Sequence, residues 1–246
     1  KKKKNILILP HILIDNLFTT EWSLFESPLV WLLETLKKIK YIDNVNWIIK
    51  PHPSESVFIE TKQGLSVKKI FNKLNLRKSN IKLLENGIVI KNIEKYISCV
   101  LTSHGSSGYE YTALGKPVIN TADAYYSNFN LTLQPKSKKQ YFNLIQNLNK
   151  IKKVEKEKIL LAKLFWYTYR KAIRSKHSLL PLFDPHEEFD KSKFWKLANK
   201  INKIELYNND EFCEYFRIQI KNKNRHTINF KSLGIKNYED FKLNDI

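Results

Sequence analysis

Short apolar runs and longer helical stripes take turns along the first two thirds of the chain. Ile6 to Leu9, Val45 to Ile49, Ile81 to Leu84, Ser98 to Thr102 and Pro117 to Asn120 are the apolar runs. Each closes on Pro, a charged residue or Ser/Thr, the pattern of a short buried strand. Glu21 to Lys38 instead carries Leu24, Leu29, Leu32, Leu33 and Leu36 at helical spacing. Leu65 to Leu74, Ser106 to Leu114, Lys136 to Leu148 and Val154 to Ile173 read as further helices, and Ile93 to Tyr96 as a short one. Strands alternating with helices predict an α/β fold, a Rossmann-like parallel sheet with helices on both faces.

The pattern changes after Pro181. Residues 1–180 read as one Rossmann-like nucleotide-sugar-binding domain and 181–246 as a helical and loop tail. Phe194 to Ile204, with Trp195, Leu197 and Ile201 on one side, and Glu211 to Phe216 are short amphipathic helices. Lys221 to Arg225 is a basic loop.

Two loops carry the candidate chemistry. Leu101-Thr-Ser-His-Gly-Ser-Ser-Gly-Tyr-Glu110 runs from an apolar strand into a helix that Gly115 and Pro117 end, and Leu101 to Ile119 holds three of the chain's six glycines, Gly105, Gly108 and Gly115. Glycine lets backbone amides approach an anion, the helix start supplies partial positive charge, and serine hydroxyls donate, which together suit a phosphate. The second loop is Lys50-Pro-His-Pro53. A histidine at the carboxyl end of a buried strand faces the crevice where open α/β sheets bind ligands, and it can donate to a leaving phosphate. Structural alternatives stand beside each residue. His52 and His104 can pack at strand ends, Ser106 and Ser107 can cap a helix, and Glu110 can be a solvated first-turn carboxylate.

Taken in order, Lys50-Pro-His-Pro53, Thr102 to Glu110 and Gly115-Lys-Pro-Val118 resemble the nucleotide-binding, C-terminal half of a GT-B glycosyltransferase. Within that fold they are most similar to bacterial capsule and surface-polysaccharide enzymes using CMP-activated acidic sugars: Kdo transferases and, more remotely, HP-motif sialyltransferases. The resemblance covers roughly Lys4 to Arg174. It implies that His52, Ser106 and Ser107 hold the CMP phosphate and that Glu110, five residues before Gly115, holds the ribose. It draws Lys50, Pro53, Ser103, His104, Gly105 and Gly108 into the same nucleotide-binding set. It also implies that Asp15 is the nucleophile of a double displacement, with His52 assisting departure of CMP. Glu21, Glu26 and Glu34 are alternatives to Asp15, which can equally cap a loop. Lys116, Arg170 and Arg174 are candidates to neutralise substrate charge.

The implied activity is transfer of Kdo or a sialic-acid-like sugar, without metal or cofactor, onto a glycan or glycolipid acceptor. The enzymatic alternatives are a CDP-polyol phosphotransferase and a UDP-sugar GT-B transferase. A non-catalytic nucleotide-sugar-binding scaffold of a polysaccharide assembly complex is the alternative of another class.

Composition narrows the setting. A hydrophobic content of 42% in 246 residues suffices for a substantial core. Cys99 and Cys213 have no metal-like spacing, so a reducing, cytoplasmic environment is expected. No apolar run approaches the ~20 residues that span a bilayer. The net charge of +19 is mostly lysine, since Arg77, Arg170, Arg174, Arg217 and Arg225 are the five arginines. Without a recognisable module and with few bidentate arginines, nucleic acid is not an expected partner. A lysine-rich surface by default, or a peripheral contact with the inner face of the cytoplasmic membrane, accounts better for the charge. The chain contains no methionine, and we expect a portion of a longer protein in which an N-terminal GT-B domain precedes Lys1. The tail would then pack on that domain or on a membrane surface.

Overall fold

Five short parallel strands pair in the order β3-β2-β1-β4-β5 in a computed structural model of the chain. They are β1 (Asn5–Leu9), β2 (Asn46–Ile49), β3 (Ile81–Leu83), β4 (Ile97–Thr102) and β5 (Val118–Asn120). The helices are α1 (Pro28–Ile39), α2 (Val67–Lys73), α3 (Ser107–Ala113), α4 (Lys138–Gln146), α5 (Lys156–Tyr167) and α6 (Glu211–Lys221). The structure describes residues 3–13, 22–55, 65–84, 88, 92–172, 195–196, 199 and 210–223. Two compact units divide the chain, Lys1–Lys163 and Leu164–Ile246.

The sheet is buried on both faces along β4 and β5, as a parallel sheet covered by helices on each side is, while Lys82 of β3 is exposed. Ile6 and Ile8 of β1 join Trp47, Ile49, Cys99 and Leu101 in a core that also takes Trp31, Leu32 and Leu36 of α1 and Tyr141 and Ile145 of α4. Leu7, between Ile6 and Ile8, faces the other way, with Val100, Val118 and Tyr111 of α3. Each large apolar side chain so buried contributes ~1.5–3 kcal/mol. A buried polar cluster ties α1 to α4: the Tyr141 hydroxyl accepts from Trp31 Nε1 at 3.1 Å and lies 2.8 Å from Thr35 Oγ1. Cys99 is fully buried in β4, and desolvation pushes its thiol up to about 12, so it is an inert core residue.

Boundaries shift from the sequence reading where local chemistry outweighs periodicity. The helix expected from Glu21 starts at Pro28, because Ser27 accepts the Val30 amide as N-cap and proline suits the first turn. Ser23 meanwhile bridges to Ala122 beside the sheet. Helix α3 ends as expected at Gly115, whose φ of +74° lets the Lys116 amide reach back to the Tyr111 carbonyl. The helix expected over Val154 to Ile173 starts at Lys156 and passes into a π-helical turn at Thr168–Ala172. In the second unit, Asp210 caps α6 through the Cys213 amide, and the helix runs past Phe216 to Lys221. Of the tail helix expected over Phe194 to Ile204, only residues 195, 196 and 199 are described.

Candidate functional site

In the strand order 3-2-1-4-5 the chain crosses from one half of the sheet to the other between β1 and β4. Ligands of such sheets bind outside the strands' carboxyl ends at that point. Three histidines meet there. His11 follows β1 after Pro10, His52 follows β2 after Lys50-Pro51, and His104 follows β4 after Ser103. The imidazoles of His11 and His104 stack at 4.1 Å with their planes 23° apart, and His52 lies 6.1 Å from His11 between ring centres. His104 is buried, at 6% exposure, while His11 and His52 are half-buried.

Hydrogen bonds fix how these rings present themselves. His52 Nδ1 accepts the Ser54 amide at 3.1 Å, so in the neutral ring Nε2 carries the proton and is a donor. The His52 carbonyl accepts the Glu55 amide, closing a turn at Pro53. His11 Nδ1 lies 3.4 Å from the Ile12 carbonyl, and His104 Nδ1 lies 3.3 Å from Ser103 Oγ. Among the described residues no group of three or more His, Cys, Asp or Glu is arranged to hold a metal ion.

The loop from Ser103 to Ser107 is held by its carbonyls. Ser103 O accepts from the Thr121 and Ala122 amides, His104 O from Thr102 Oγ1, and Gly105 O from the Tyr126 hydroxyl at 2.7 Å. With φ at +116°, position 105 needs glycine. The amides of Gly105, Ser106 and Ser107 donate to no described residue. Ser106 sits at the N-cap of α3 without making a side-chain cap bond, so its hydroxyl is not engaged in the capping that offered the structural explanation for a serine there. The loop's carbonyls are thus taken up by the protein, while its three successive amides make no hydrogen bond to a described residue.

The remaining sequence candidates fall in different places. Lys50, at the end of β2, is only 4% exposed, and desolvation lowers its ammonium pKa. Glu110 is half-buried one turn into α3. Pro53 is exposed. Gly108 faces the protein, where a Cβ would lie 2.0 Å from the Tyr126 hydroxyl oxygen. Its position is set by packing against Tyr126. Glu26 and Glu34 both bind Lys138 of α4, at 3.3 and 2.8 Å, tying α1 to α4. Lys116 pairs with Glu94 at the amino ends of β4 and β5, away from the histidines. That placement overturns its expected role with substrate. Asp15, Glu21 and Arg174 lie outside the described residues, and Arg170 belongs to the second unit.

His11 is the site residue that sequence reasoning missed. A signal was present: Pro10-His11 after β1 repeats the Pro51-His52 pair after β2.

No protein-family model and no curated protein matches the chain. Among solved structures, the chain is similar to the Staphylococcus aureus MnaA–UDP complex at 16% identity and a TM-score of 0.40, over 65% of this chain and 39% of that one. It is similar to the KpsC β-Kdo 2,7 transferase of Thermosulfurimonas dismutans at 18% identity and a TM-score of 0.40, over 82% and 56%. A putative UDP-N-acetylglucosamine 2-epimerase of Listeria monocytogenes matches at 14% identity and a TM-score of 0.42, over 76% and 47%. The chain spans about two fifths to just over half the length of these proteins. Among the described residues no helix is long and apolar enough to cross a membrane.

Proposed function

We propose that this chain is the nucleotide-binding half of a GT-B glycosyltransferase that transfers an acidic sugar, Kdo or a sialic-acid relative, from a CMP-activated donor. The observation that carries the reading is the convergence of His11, His52 and His104 beside the 105–107 loop, at the crossover of a parallel sheet. His52 Nε2–H and the amides of Ser106 and Ser107 would donate to phosphate oxygens, and Lys50 would add positive charge near the same strand ends. Donors of this kind stabilise a departing phosphate without a metal. Glu110 would take the ribose and Asp15 would attack the anomeric carbon. The acceptor is a glycan or glycolipid of a bacterial surface polysaccharide, and the enzyme works in the cytoplasm or at the inner face of the membrane with a second GT-B domain.

Calorimetric titration of CMP, CDP and UDP into the chain tests this. CMP is expected to bind best, and His52→Ala or the Ser106→Ala/Ser107→Ala pair to weaken it by about ten- to a hundredfold, as loss of a charge-assisted hydrogen bond does. Preference for UDP or CDP, or CMP affinity untouched by these variants, contradicts the CMP-sugar assignment.

A further inference from the structure

The rings of the histidine cluster are held by different groups, and the difference fixes where a proton can go. An amide only donates, so the Ser54 nitrogen, 3.1 Å from His52 Nδ1, keeps that ring nitrogen unprotonated. A cationic His52 would set two N–H groups against each other. A carbonyl only accepts, so the Ile12 oxygen, 3.4 Å from His11 Nδ1, places the proton of the neutral ring on Nδ1 and leaves Nε2 its lone pair. His11 keeps this contact when Nε2 also gains a proton. His52 is therefore a fixed neutral donor, and His11 is a ring that can become charged without losing its partner.

His104 competes with His11 for that proton, because the two rings stack at 4.1 Å and like charges so close repel. Burial decides between them. A cation on His104 would lose most of its hydration at 6% exposure, whereas His11 is half-buried. His11 also lies over the glycine-serine loop: its Cδ2 is 3.4 Å and its Nε2 4.0 Å from where a Cβ on Gly105 would stand. The nitrogen that gains the proton is thus beside the loop of residues 105–107. Of the charged side chains near these strand ends, Lys50 opposes another cation, while Glu55, Glu110 and Asp123 favour one by their sign. An anionic ligand adds to the second group.

We infer that His11 is the proton carrier of this site: a phosphate-like anion binds beside residues 105–107 together with one proton, which His11 takes on Nε2. Affinity for the anion then falls about tenfold per pH unit between the ring's titration midpoints in the free and the bound chain. The inference rests on the anion-site part of the function proposed above and not on the nucleotide being CMP.

Nitrogen-15 NMR of the imidazoles in the full chain, at pH 5 to 9 with and without sodium sulfate at matched ionic strength, reads the tautomer and protonation of each ring. Sulfate stays a dianion throughout, so any titration belongs to the protein. His52 is expected as the Nε2–H tautomer and His11 as Nδ1–H. His11 should protonate first as pH falls, and sulfate should raise its midpoint by about 0.5 pH units or more. Calorimetry of CMP at pH 7.5, in buffers of different ionisation enthalpy, then counts protons taken up by the chain, because a phosphate monoester with a second pKa near 6 is already dianionic. Roughly half to one proton per CMP is expected. His11→Phe, which keeps a ring for the stack, should abolish the uptake, while His52→Ala should weaken binding and leave the uptake in place. The NMR measurement needs no variant. His52 protonating before His11, a His11 midpoint unmoved by sulfate, or uptake unchanged in His11→Phe overturns the inference. A chain that ignores CMP yet shows the sulfate shift on His11 supports the inference and contradicts only the nucleotide assignment.

Discussion

The imidazole of His11 stacks on that of His104 at 4.1 Å, joining the carboxyl ends of β1 and β4 across the crossover of the sheet. The stack, with the Ser103 Oγ contact, gives the His104 ring one orientation. Replacing His11 by Ala is therefore expected to weaken CMP binding about tenfold while moving Tm by no more than about 3 °C, since His11 is only half-buried. His11→Phe keeps a ring for the stack but no nitrogen. Recovery of affinity in His11→Phe assigns His11 a positioning role; continued loss assigns it direct contact with the ligand. Calorimetry at matched ionic strength separates the two, because phosphate contacts are salt-dependent.

Packing governs the opposite side of the same loop. At Gly108 a Cβ would meet the Tyr126 hydroxyl oxygen at 2.0 Å and the ring carbon bearing it at 2.3 Å, distances no side-chain adjustment leaves intact. Gly108→Ala is expected to cost about 3 kcal/mol, a fall in Tm of roughly 6–12 °C. Displacement of Tyr126 would also break its hydrogen bond to Gly105 O and loosen the 105–107 loop. Tyr126→Ala alone leaves a cavity, but it makes room for the new methyl group, so the double variant should lose clearly less than the sum of the two. Additive losses in urea unfolding would mean that Tyr126 is not what excludes a side chain at 108.

These two positions also show what the sequence made legible. The strands could be read because each is a short apolar run stopped by Pro, charge or Ser/Thr, and the parallel α/β arrangement followed from their alternation with helices. The His52 and Ser103–Ser107 loops could be placed at carboxyl ends of strands for the same reason. His11 was not recognised, although it follows a proline as His52 does, because its significance lies in β1 being the neighbour of both β2 and β4, a tertiary relationship. Gly108 was grouped with Gly105 because both lie in one glycine-serine stretch. Composition does not reveal that residue 105 needs a positive φ while residue 108 faces a tyrosine. The start of α1 was misplaced because leucine spacing continues through Leu24, whereas the Ser27–Pro28 pair sets the actual beginning.

Lys50 couples stability to the proposed anion site. Burial lowers its pKa in the folded chain below that of the unfolded chain. Between the two values the unfolded chain holds the proton that the folded chain has released, so stability rises with pH in that window and the charged form is disfavoured below it. Lys50→Met retains much of the side chain's volume and removes the charge. It is expected to raise the urea midpoint at pH 7, with the advantage shrinking toward pH 10, and to weaken CMP binding about tenfold through loss of the cation. A variant that is less stable at pH 7 would mean that the ammonium is satisfied where it lies. Unchanged CMP affinity would remove Lys50 from the site.

Glu55 presents the same problem with the opposite charge. Its carboxylate is buried beneath the start of α2, where Oε1 accepts the Val67 amide at 2.8 Å. Desolvation raises its pKa, and the Val67 bond only partly offsets the rise. Between the unfolded value near 4.3 and the higher folded value, the folded chain holds more protons than the unfolded chain. The contribution of Glu55 to stability therefore falls as pH rises through that window. Glu55→Gln keeps an oxygen for Val67 and abolishes the charge. It should stabilise the chain at pH 7 by about 1 kcal/mol, with the gain shrinking toward pH 4 as the wild-type carboxyl takes up its proton. Glu55→Ala removes the acceptor and should destabilise by about 1 kcal/mol at both pH values. Urea unfolding of the three proteins at pH 4 and pH 7 distinguishes these effects. If Glu55→Gln is weaker than wild type at pH 7, the charge-assisted bond to the first turn of α2 outweighs the cost of burying the carboxylate.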